Sequence, residues 1–251
     1  MPLQKTEAVV LKTQRSGETS KIVTFYTLKF GKLKAVAKGS RSLRSRFFGS
    51  LEPLNHVTIV YYFKETREYQ FLSQADIINA HDKIKADLHK YAIANVICDL
   101  IDRTQIGQAN PALFYLLIEI LGGIANCRHH LNNYLFWFLL RFLKLSGFQP
   151  NLQHCQICRK EQFDGMVRFS LANGGFSCRQ CQAPEPSAIT VSTATILYLR
   201  KLQTMAMNQI EMLAITTESE CELLLLSFLR YHIEETKYLT SLKFLRQIQK
   251  P

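Results

Sequence analysis

Four cysteines of the chain fall into two pairs, and each pair has two residues between its members. The pairs are Cys155 with Cys158 and Cys178 with Cys181, and 19 residues separate them. A two-residue spacer lets both thiolates of a pair reach one metal ion at about 2.3 Å, and two such pairs complete a tetrahedron. The spacing therefore predicts one Zn²⁺ held by all four cysteines. Because no coordination position stays open for water, we expect that ion to be structural.

Two other uses of these cysteines compete with zinc. A pair of disulfides would need an oxidising compartment, and an iron–sulfur cluster would use four thiolates, although the spacing matches no ferredoxin pattern. His154 could replace a cysteine, but we expect it to be a bystander beside Cys155. The isolated Cys98, Cys127 and Cys221 lie in helical stretches and are expected to be small buried apolar residues.

Positive charge is concentrated near the N-terminus. The chain has 31 Lys and Arg against 20 Asp and Glu, a net charge of +11, and residues 1–75 hold 13 of these cations against 5 Glu. A surface that is merely solvated would mix the signs, so a block of one sign predicts a docking surface for a polyanion. Nucleic acid, an anionic membrane and an acidic protein are the candidate partners, and a plain basic surface loop is the alternative. The residues predicted to form this surface, and to be DNA-binding if the polyanion is nucleic acid, are Lys29, Lys32, Lys34, Lys38, Arg41, Arg44 and Arg46.

Catalytic motifs with a defined mechanism are missing from the sequence. It contains no phosphate-binding GxxxxGK[ST] loop, no GxGxxG, no HExxH and no GxSxG. We therefore expect no catalytic residues, no enzymatic activity and no ATP-driven remodelling by this chain alone.

The N-terminal third is typical of β-strands. Apolar, β-branched and aromatic runs cover residues 7–12, 22–28, 33–37, 55–63 and 68–72, and Gly31 fits a tight turn. Five short strands within about 75 residues favour a small closed or partly closed barrel. Most aromatic rings of such a barrel are expected in its interior, whereas Phe48 lies in a predicted loop and one of Tyr61 and Tyr62 must face outwards.

Helical periodicity begins near residue 82. Residues 93–101 repeat apolar positions at intervals of three and four, and Asn110-Pro111 predicts a helix start that leads to residues 122–123. A strongly apolar helix over residues 129–145 is stopped by Gly147 and Pro150.

Residues 151–186 interrupt the helices with the cysteine pairs and glycines. Helices then return over residues 192–207 and 218–238, and Thr217 with Glu220 predicts a capping box for the last of them. The predicted fold class is α+β, with a five-stranded barrel domain over residues 1–80. A helical domain over residues 81–251 follows and carries the zinc module at about 151–186.

Membrane insertion is not expected. No apolar run approaches the roughly 18 residues of a spanning helix, and the first residues lack the apolar core of a secretory signal. We therefore predict a cytoplasmic protein with no membrane partner.

Several short stretches, taken in order, resemble the RecO family of bacterial DNA repair proteins. In the cysteine segment, the similarity rests on Cys155-Gln-Ile-Cys158 and on residues 174–181, and residues 231–245 are similar to the end of the family's helical domain. In the N-terminal third it rests on Glu7-Ala-Val-Val-Leu11, Gly17-Glu18, Phe30-Gly31-Lys32-Leu33, Ala35-Val-Ala-Lys-Gly39 and Leu51-Glu52-Pro53.

The resemblance implies an OB-fold barrel, a helical domain with a zinc module and a role as recombination mediator. Such proteins bind ssDNA and dsDNA, anneal complementary strands and act with RecR, often also with RecF. They load RecA onto ssDNA covered by single-strand-binding protein (SSB), whose acidic C-terminal tail binds the helical domain. Some family members lack the metal. A role on DNA also implies association with the nucleoid within the cytoplasm.

Two other functions stay open on the sequence alone. The chain could be a non-catalytic scaffold that holds the SSB tail, with Lys237, Lys243 and Arg246 beside Phe244 near its C-terminus and with incidental DNA affinity. It could also be a zinc-ribbon DNA-binding regulator, which fits the cysteines but not the long helical segments around them.

Overall fold

The computed structural model describes residues 2–42, 44–105, 107–181 and 184–249. The chain forms two compact units, one of residues 1–125 together with 239–251 and one of residues 126–238. The boundary predicted at residue 80 separates strands from helices. The compact units follow a different division, because the helix of residues 88–104 packs against the first two strands and the C-terminal helix packs against that helix.

The N-terminal strands form the predicted barrel. The strand order is β1-β2-β3-β5-β4, and the barrel closes through the pairing of β4 with β1. Only β3 and β5 pair in parallel, with Ala35 opposite Gln70. This is the five-stranded barrel that the OB-fold describes. The strands are β1 Leu3–Ser16, β2 Ser20–Thr27, β3 Gly31–Ala37, β4 His56–Tyr62 and β5 Gln70–Asn79.

Alternation along the strands explains the barrel core. Ala35 and Ala37 of β3 face inwards and are buried, whereas Lys32 and Lys34 of the same strand lie on its opposite face. Strands β1 and β5 are longer than the apolar runs predict. A bulge between Val10 and Lys12 lets β1 continue beside β2, and β5 stays paired with β4 as far as Asn79.

Helices fill the rest of the chain. In the first unit α3 starts where predicted, because the Asn110 side chain accepts a hydrogen bond from the Leu113 amide at 3.1 Å. The C-terminal α7 returns to α2, where the amide and hydroxyl of Ser241 donate to Asp99 at 3.2 and 2.7 Å. The helices are α1 Asp82–Lys85, α2 Leu88–Thr104, α3 Pro111–Asn126, α4 Asn132–Leu145, α5 Thr193–Thr204, α6 Glu218–His232 and α7 Ser241–Ile248.

The second unit is organised around α4. Asn133 is completely buried, and its amide group donates to the carbonyls of Ile210 and Leu213 at 2.7 and 2.8 Å. The Tyr198 hydroxyl donates to the carbonyl of the same side chain, so this polar group is satisfied within an apolar core. After α4 the chain forms a small sheet of order β7-β6-β8, made of β6 Met166–Ser170, β7 Gly175–Ser177 and β8 Ala188–Ser192.

The predicted capping box at α6 is wrong. Thr217 occupies the N-cap position, but its side chain makes no capping hydrogen bond. Glu220 instead accepts hydrogen bonds from the amide and hydroxyl of Ser192, at 2.8 and 2.7 Å, and from the Thr195 hydroxyl. Glu220 therefore stabilises the start of α5, and this contact between distant segments outweighs the local motif.

None of the helices among the described residues combines the length and the apolar composition that a membrane span requires.

Candidate nucleic-acid interface and metal centre

The four paired cysteines converge. The sulfur atoms of Cys155, Cys158, Cys178 and Cys181 all lie within 4.8 Å of one another. The sulfurs of Cys158 and Cys178 are 3.8 Å apart. A tetrahedron with metal–sulfur bonds of about 2.3 Å has edges of about 3.8 Å, so the cluster has the dimensions of a four-thiolate metal site.

Local backbone geometry shapes each cysteine pair. After the first pair, Arg159 adopts a left-handed conformation (φ +61°), and its amide donates to the Cys155 carbonyl at 3.0 Å. Before the second pair, Gly174 (φ +66°) reverses the chain between β6 and β7, as its position between the pairs predicts. The Cys178 amide then donates to the Cys155 sulfur at 3.3 Å, which joins the two pairs.

The electrostatics of the cluster favour a cation. Burial raises the pKa of Cys155, but backbone N–H groups of Cys158 and Cys178 outweigh burial and lower that pKa to about 6. Hydrogen bonds with the thiols of Cys158 and Cys178 raise the pKa of Cys181 to about 12. The fold thus stabilises the thiolate form of Cys155, whereas the neighbouring thiols disfavour the thiolate form of Cys181. A divalent cation at the centre would stabilise all four thiolates together.

His154 and the isolated cysteines stand apart from this cluster. A ring nitrogen of His154 lies 2.7 Å from the Arg159 guanidinium, and the imidazole is not part of the cysteine cluster. Cys98, Cys127 and Cys221 are buried, as expected of small apolar residues.

The predicted basic residues do not form one uniform patch. The Lys32 ammonium is tied to α2, where it donates to the Asp102 carbonyl and lies 3.6 Å from that residue's carboxylate. Lys34 is paired with Glu68 at 3.0 Å, and this hydrogen bond raises the pKa of Lys34 and lowers that of Glu68. These two lysines therefore have partners within the protein.

Lys38 lies on an aromatic surface where β3 and β5 pair. Its ammonium is 4.7 Å from the centre of the Phe71 ring, and the Arg67 guanidinium is 4.6 Å from the same centre. Tyr69 adds a second ring, 5.4 Å from the Lys34 ammonium. Arg67, Tyr69 and Phe71 complete this surface, and prediction from the basic block alone misses them. The pairing of β3 with β5 is the feature that reveals them, because it brings together residues that are about 35 positions apart in the sequence.

The remaining predicted cations belong to turns and to the segment after β3. The Arg41 guanidinium donates to the carbonyls of Gly17 and Glu18 at 3.1 and 2.6 Å, so it fixes the β1–β2 turn. Lys29, Arg44 and Arg46 are exposed. Neither Lys29 nor Arg44 has an ion-pair partner among the residues that the structure describes.

The adjacent tyrosines of β4 face opposite sides of the barrel wall, as predicted. Tyr61 is fully buried and meets Phe30 edge to face, and Tyr62 is 40% exposed. The inward ring is thus Tyr61.

Comparison with known proteins agrees with this architecture. The family model described as Recombination protein O N terminal matches residues 1–81, and the model described as Recombination protein O C terminal matches residues 85–242. The chain is 35% identical to the DNA repair protein RecO of Syntrophus aciditrophicus over 98% of this chain and 96% of that protein. It is 29% identical to the DNA repair protein RecO of Bacillus subtilis over 98% of this chain and 95% of that protein.

The barrel, the helical region and these matches define a DNA repair protein with an N-terminal OB-type barrel. Within that class, the chain belongs to the RecO family.

Proposed function

We propose that this chain is a non-enzymatic recombination mediator that binds ssDNA and dsDNA and anneals complementary strands. The observation that carries the proposal is the arrangement of Lys38, Phe71 and Arg67, in which two cations flank one aromatic ring on the barrel wall. Cations that follow the phosphates and rings on which bases stack are the two parts of a single-strand platform. OB-folds bind oligonucleotides on the face of strands 2 and 3 and at the loops between strands 1 and 2 and between strands 4 and 5. Lys38 follows β3, and Arg67 lies in the β4–β5 loop.

Annealing follows from charge neutralisation. Exposed cations such as Lys38, Arg44 and Arg46 contact phosphates of two strands and lower the repulsion between them, so that base pairing can begin. Binding releases the counterions of those phosphates, and affinity therefore falls steeply with salt. This process needs no catalytic residue and no nucleotide.

The cysteine cluster serves the helical region in this proposal. Cys155, Cys158, Cys178 and Cys181 hold one Zn²⁺, which supplies a structural cross-link between the segment before β6 and the segment after β7. Removing the metal should affect function only through the stability of this region.

Membership of the RecO family supports a proposal about protein partners. We propose that the chain acts in the cytoplasm with RecR, and with RecF in some settings, to load RecA onto ssDNA covered by SSB. The SSB C-terminal tail binds the helical region. A scaffold that holds this tail with only incidental DNA affinity is the competing function, and a zinc-ribbon regulator would require a sequence-selective DNA preference.

An annealing assay separates these functions. Two complementary strands are coated with SSB, the protein is added without ATP, and duplex formation is followed as salt is increased. The mediator predicts rapid annealing that fades with salt. Absence of annealing on coated strands, together with tight binding to the isolated SSB tail, would overturn the proposal in favour of the scaffold.

A further inference from the structure

A cleft of about 590 Å³ opens at the end of the barrel where β3 leads into the segment of residues 38–55. This volume is within the range of about 300–1,000 Å³ typical of small-molecule sites. Its walls come from the ends of β1 and β2 and from two parts of that segment. The residues that matter for its chemistry are Gln14, Arg15, Lys21, Ser40, Arg41 and Phe48.

The side chain of Phe48 faces solvent, and hydrogen bonds hold the backbone on both sides of it. The preceding Phe47 is 2% exposed and belongs to the barrel core, whereas Phe48 is 79% exposed. The Phe48 amide donates to the Ser45 carbonyl at 3.1 Å. The Asn55 side-chain amide donates at 2.8 Å to the carbonyl of Gly49, the residue after Phe48. A ring with fixed backbone on both sides loses little conformational freedom when a ligand covers it.

The polar groups of the cleft suit a flat ligand with hydrogen-bonding edges and a nearby negative charge. The Ser40 hydroxyl oxygen is buried and has no hydrogen-bond partner among the described residues. Arg15 and Arg41 add positive charge, and the acidic residue in the wall, Glu52, is already paired with Lys21 at 3.2 Å.

We propose that this cleft binds one unpaired nucleobase of a DNA strand. The base stacks on Phe48, its polar edge faces Ser40 and Gln14, and the neighbouring phosphates lie near Arg15 and Arg41. A base within a duplex is stacked on both faces and paired at its edge, so only a single strand can supply this ligand. The inference rests on the proposed DNA binding and deepens it, because it adds recognition of the unpaired state to attraction by charge.

The position of the cleft favours a nucleobase over an acidic peptide. The cleft continues the basic segment of residues 29–46, whose exposed members Lys38, Arg44 and Arg46 stand on either side of Arg41 in sequence. A strand that follows these cations would therefore bring its bases to Phe48.

Two oligonucleotides of equal length test the proposal on the full chain. One is a thymidine oligonucleotide, and the other has the same phosphates but abasic sugars. We expect the unaltered protein to prefer the thymidine strand, and the base stacked on Phe48 should contribute about 5- to 150-fold to this preference. Phe48→Ala should lower this preference by that factor while leaving affinity for the abasic strand unchanged, and Phe48→Trp should restore it. A preference that Phe48→Ala leaves unchanged would overturn the inference. Tyr238→Ala, which removes a ring that is 73% exposed in the second unit, is the matched control and should keep the preference.

The possible outcomes separate this inference from the proposed function. Equal, salt-sensitive binding of both strands would overturn the base site and leave the basic surface standing. Binding of neither strand would overturn both. A third outcome is that the protein shows no thymidine preference but binds an acidic peptide with one aromatic residue, and that Phe48→Ala does not bind this peptide. This result would make the cleft a protein-docking site and overturn the inference.

Discussion

The Lys38 ammonium lies 4.7 Å from the centre of the Phe71 ring, although Lys38 follows the end of β3 and Phe71 belongs to β5. The parallel pairing of β3 with β5, in which Val36 lies opposite Phe71, produces this contact. Arg67, from the loop that leads into β5, lies near the same ring. A charged group and a half-buried aromatic ring thus lie side by side on the barrel wall, which is the combination that a single-stranded nucleic acid requires.

Lys32 and Lys38 belong to the same basic segment, but we expect opposite results when each is changed. Lys38→Gln should make the slope of log K against log salt for ssDNA less negative by about 0.7, because one phosphate contact is lost. Lys32→Gln should leave the slope unchanged and lower the free energy of unfolding by about 1 kcal/mol, since its ammonium is bonded to Asp102. Binding titrations at several salt concentrations and urea unfolding of both variants give the two quantities. The same change of slope in both would contradict the assignment of Lys32 to structure.

The cysteine cluster should contain one zinc per chain. Cys178→Ser should lose the metal and lower the melting temperature of the protein, because a buried ligand is removed. Cys221→Ala, which removes a buried cysteine outside the cluster, should keep the full metal content and is the matched control. Metal analysis of purified protein with less than about 0.2 zinc per chain would argue against the site.

Gly31 should tolerate no side chain. Its φ is +66°, and an added Cβ would lie 2.2 Å from the Gln108 carbonyl oxygen, which is backbone. Gly31→Ala should therefore lower the free energy of unfolding by more than about 2 kcal/mol. Gly39→Ala is the control, because Gly39 has a similar φ of +69° but open space around it, so only about 1 kcal/mol of backbone strain is expected. If the two variants lost the same free energy of unfolding in urea, the close approach of Gly31 to Gln108 would contribute nothing to stability.

His81 should make the protein less stable in acid. Burial, aided by the positive charges of His56 and Lys85, lowers its pKa from the usual 6.5 to about 4. The unfolded chain then binds a proton more readily than the folded one between these values, so stability falls as the pH drops from about 6.5 towards 4. By pH 5 this effect should amount to about 1–2 kcal/mol.

His81→Asn removes this titration and keeps a residue type that accepts the left-handed backbone at this position (φ +51°). Unfolding measured at pH 7 and pH 5 should show a smaller loss for the variant than for the unaltered protein. An identical pH dependence in both proteins would place the acid sensitivity in other groups.

Much of the fold follows from local sequence. The strand predicted over residues 33–37 and the Asn110-Pro111 start of α3 depend on neighbours in the chain, and both are confirmed. The spacing of the cysteines also anticipates their convergence, because each pair is a local turn.

Contacts between distant segments account for what the sequence does not reveal. Glu220 has the spacing of a capping box but bonds to Ser192, and Ser241 returns to Asp99 across 142 residues. The partners of Lys32 and Lys38 likewise depend on elements far along the chain. The sequence of a basic segment therefore predicts that a surface is positively charged. Tertiary packing decides which of its cations stabilise the fold and which are available to a ligand.

The salt dependence of ssDNA binding tests the central claim most directly. If about six phosphates are contacted, the slope of log K against log salt should be about −4 for the unaltered protein, and about −2 when Lys38, Arg44 and Arg46 are all changed to Gln. A control with Lys144, Lys201 and Lys243 changed to Gln loses the same charge from exposed positions elsewhere and should keep the slope of about −4. If the variant with Lys38, Arg44 and Arg46 changed to Gln had the same slope as the unaltered protein, the account would be contradicted, because the phosphate contacts would then lie elsewhere.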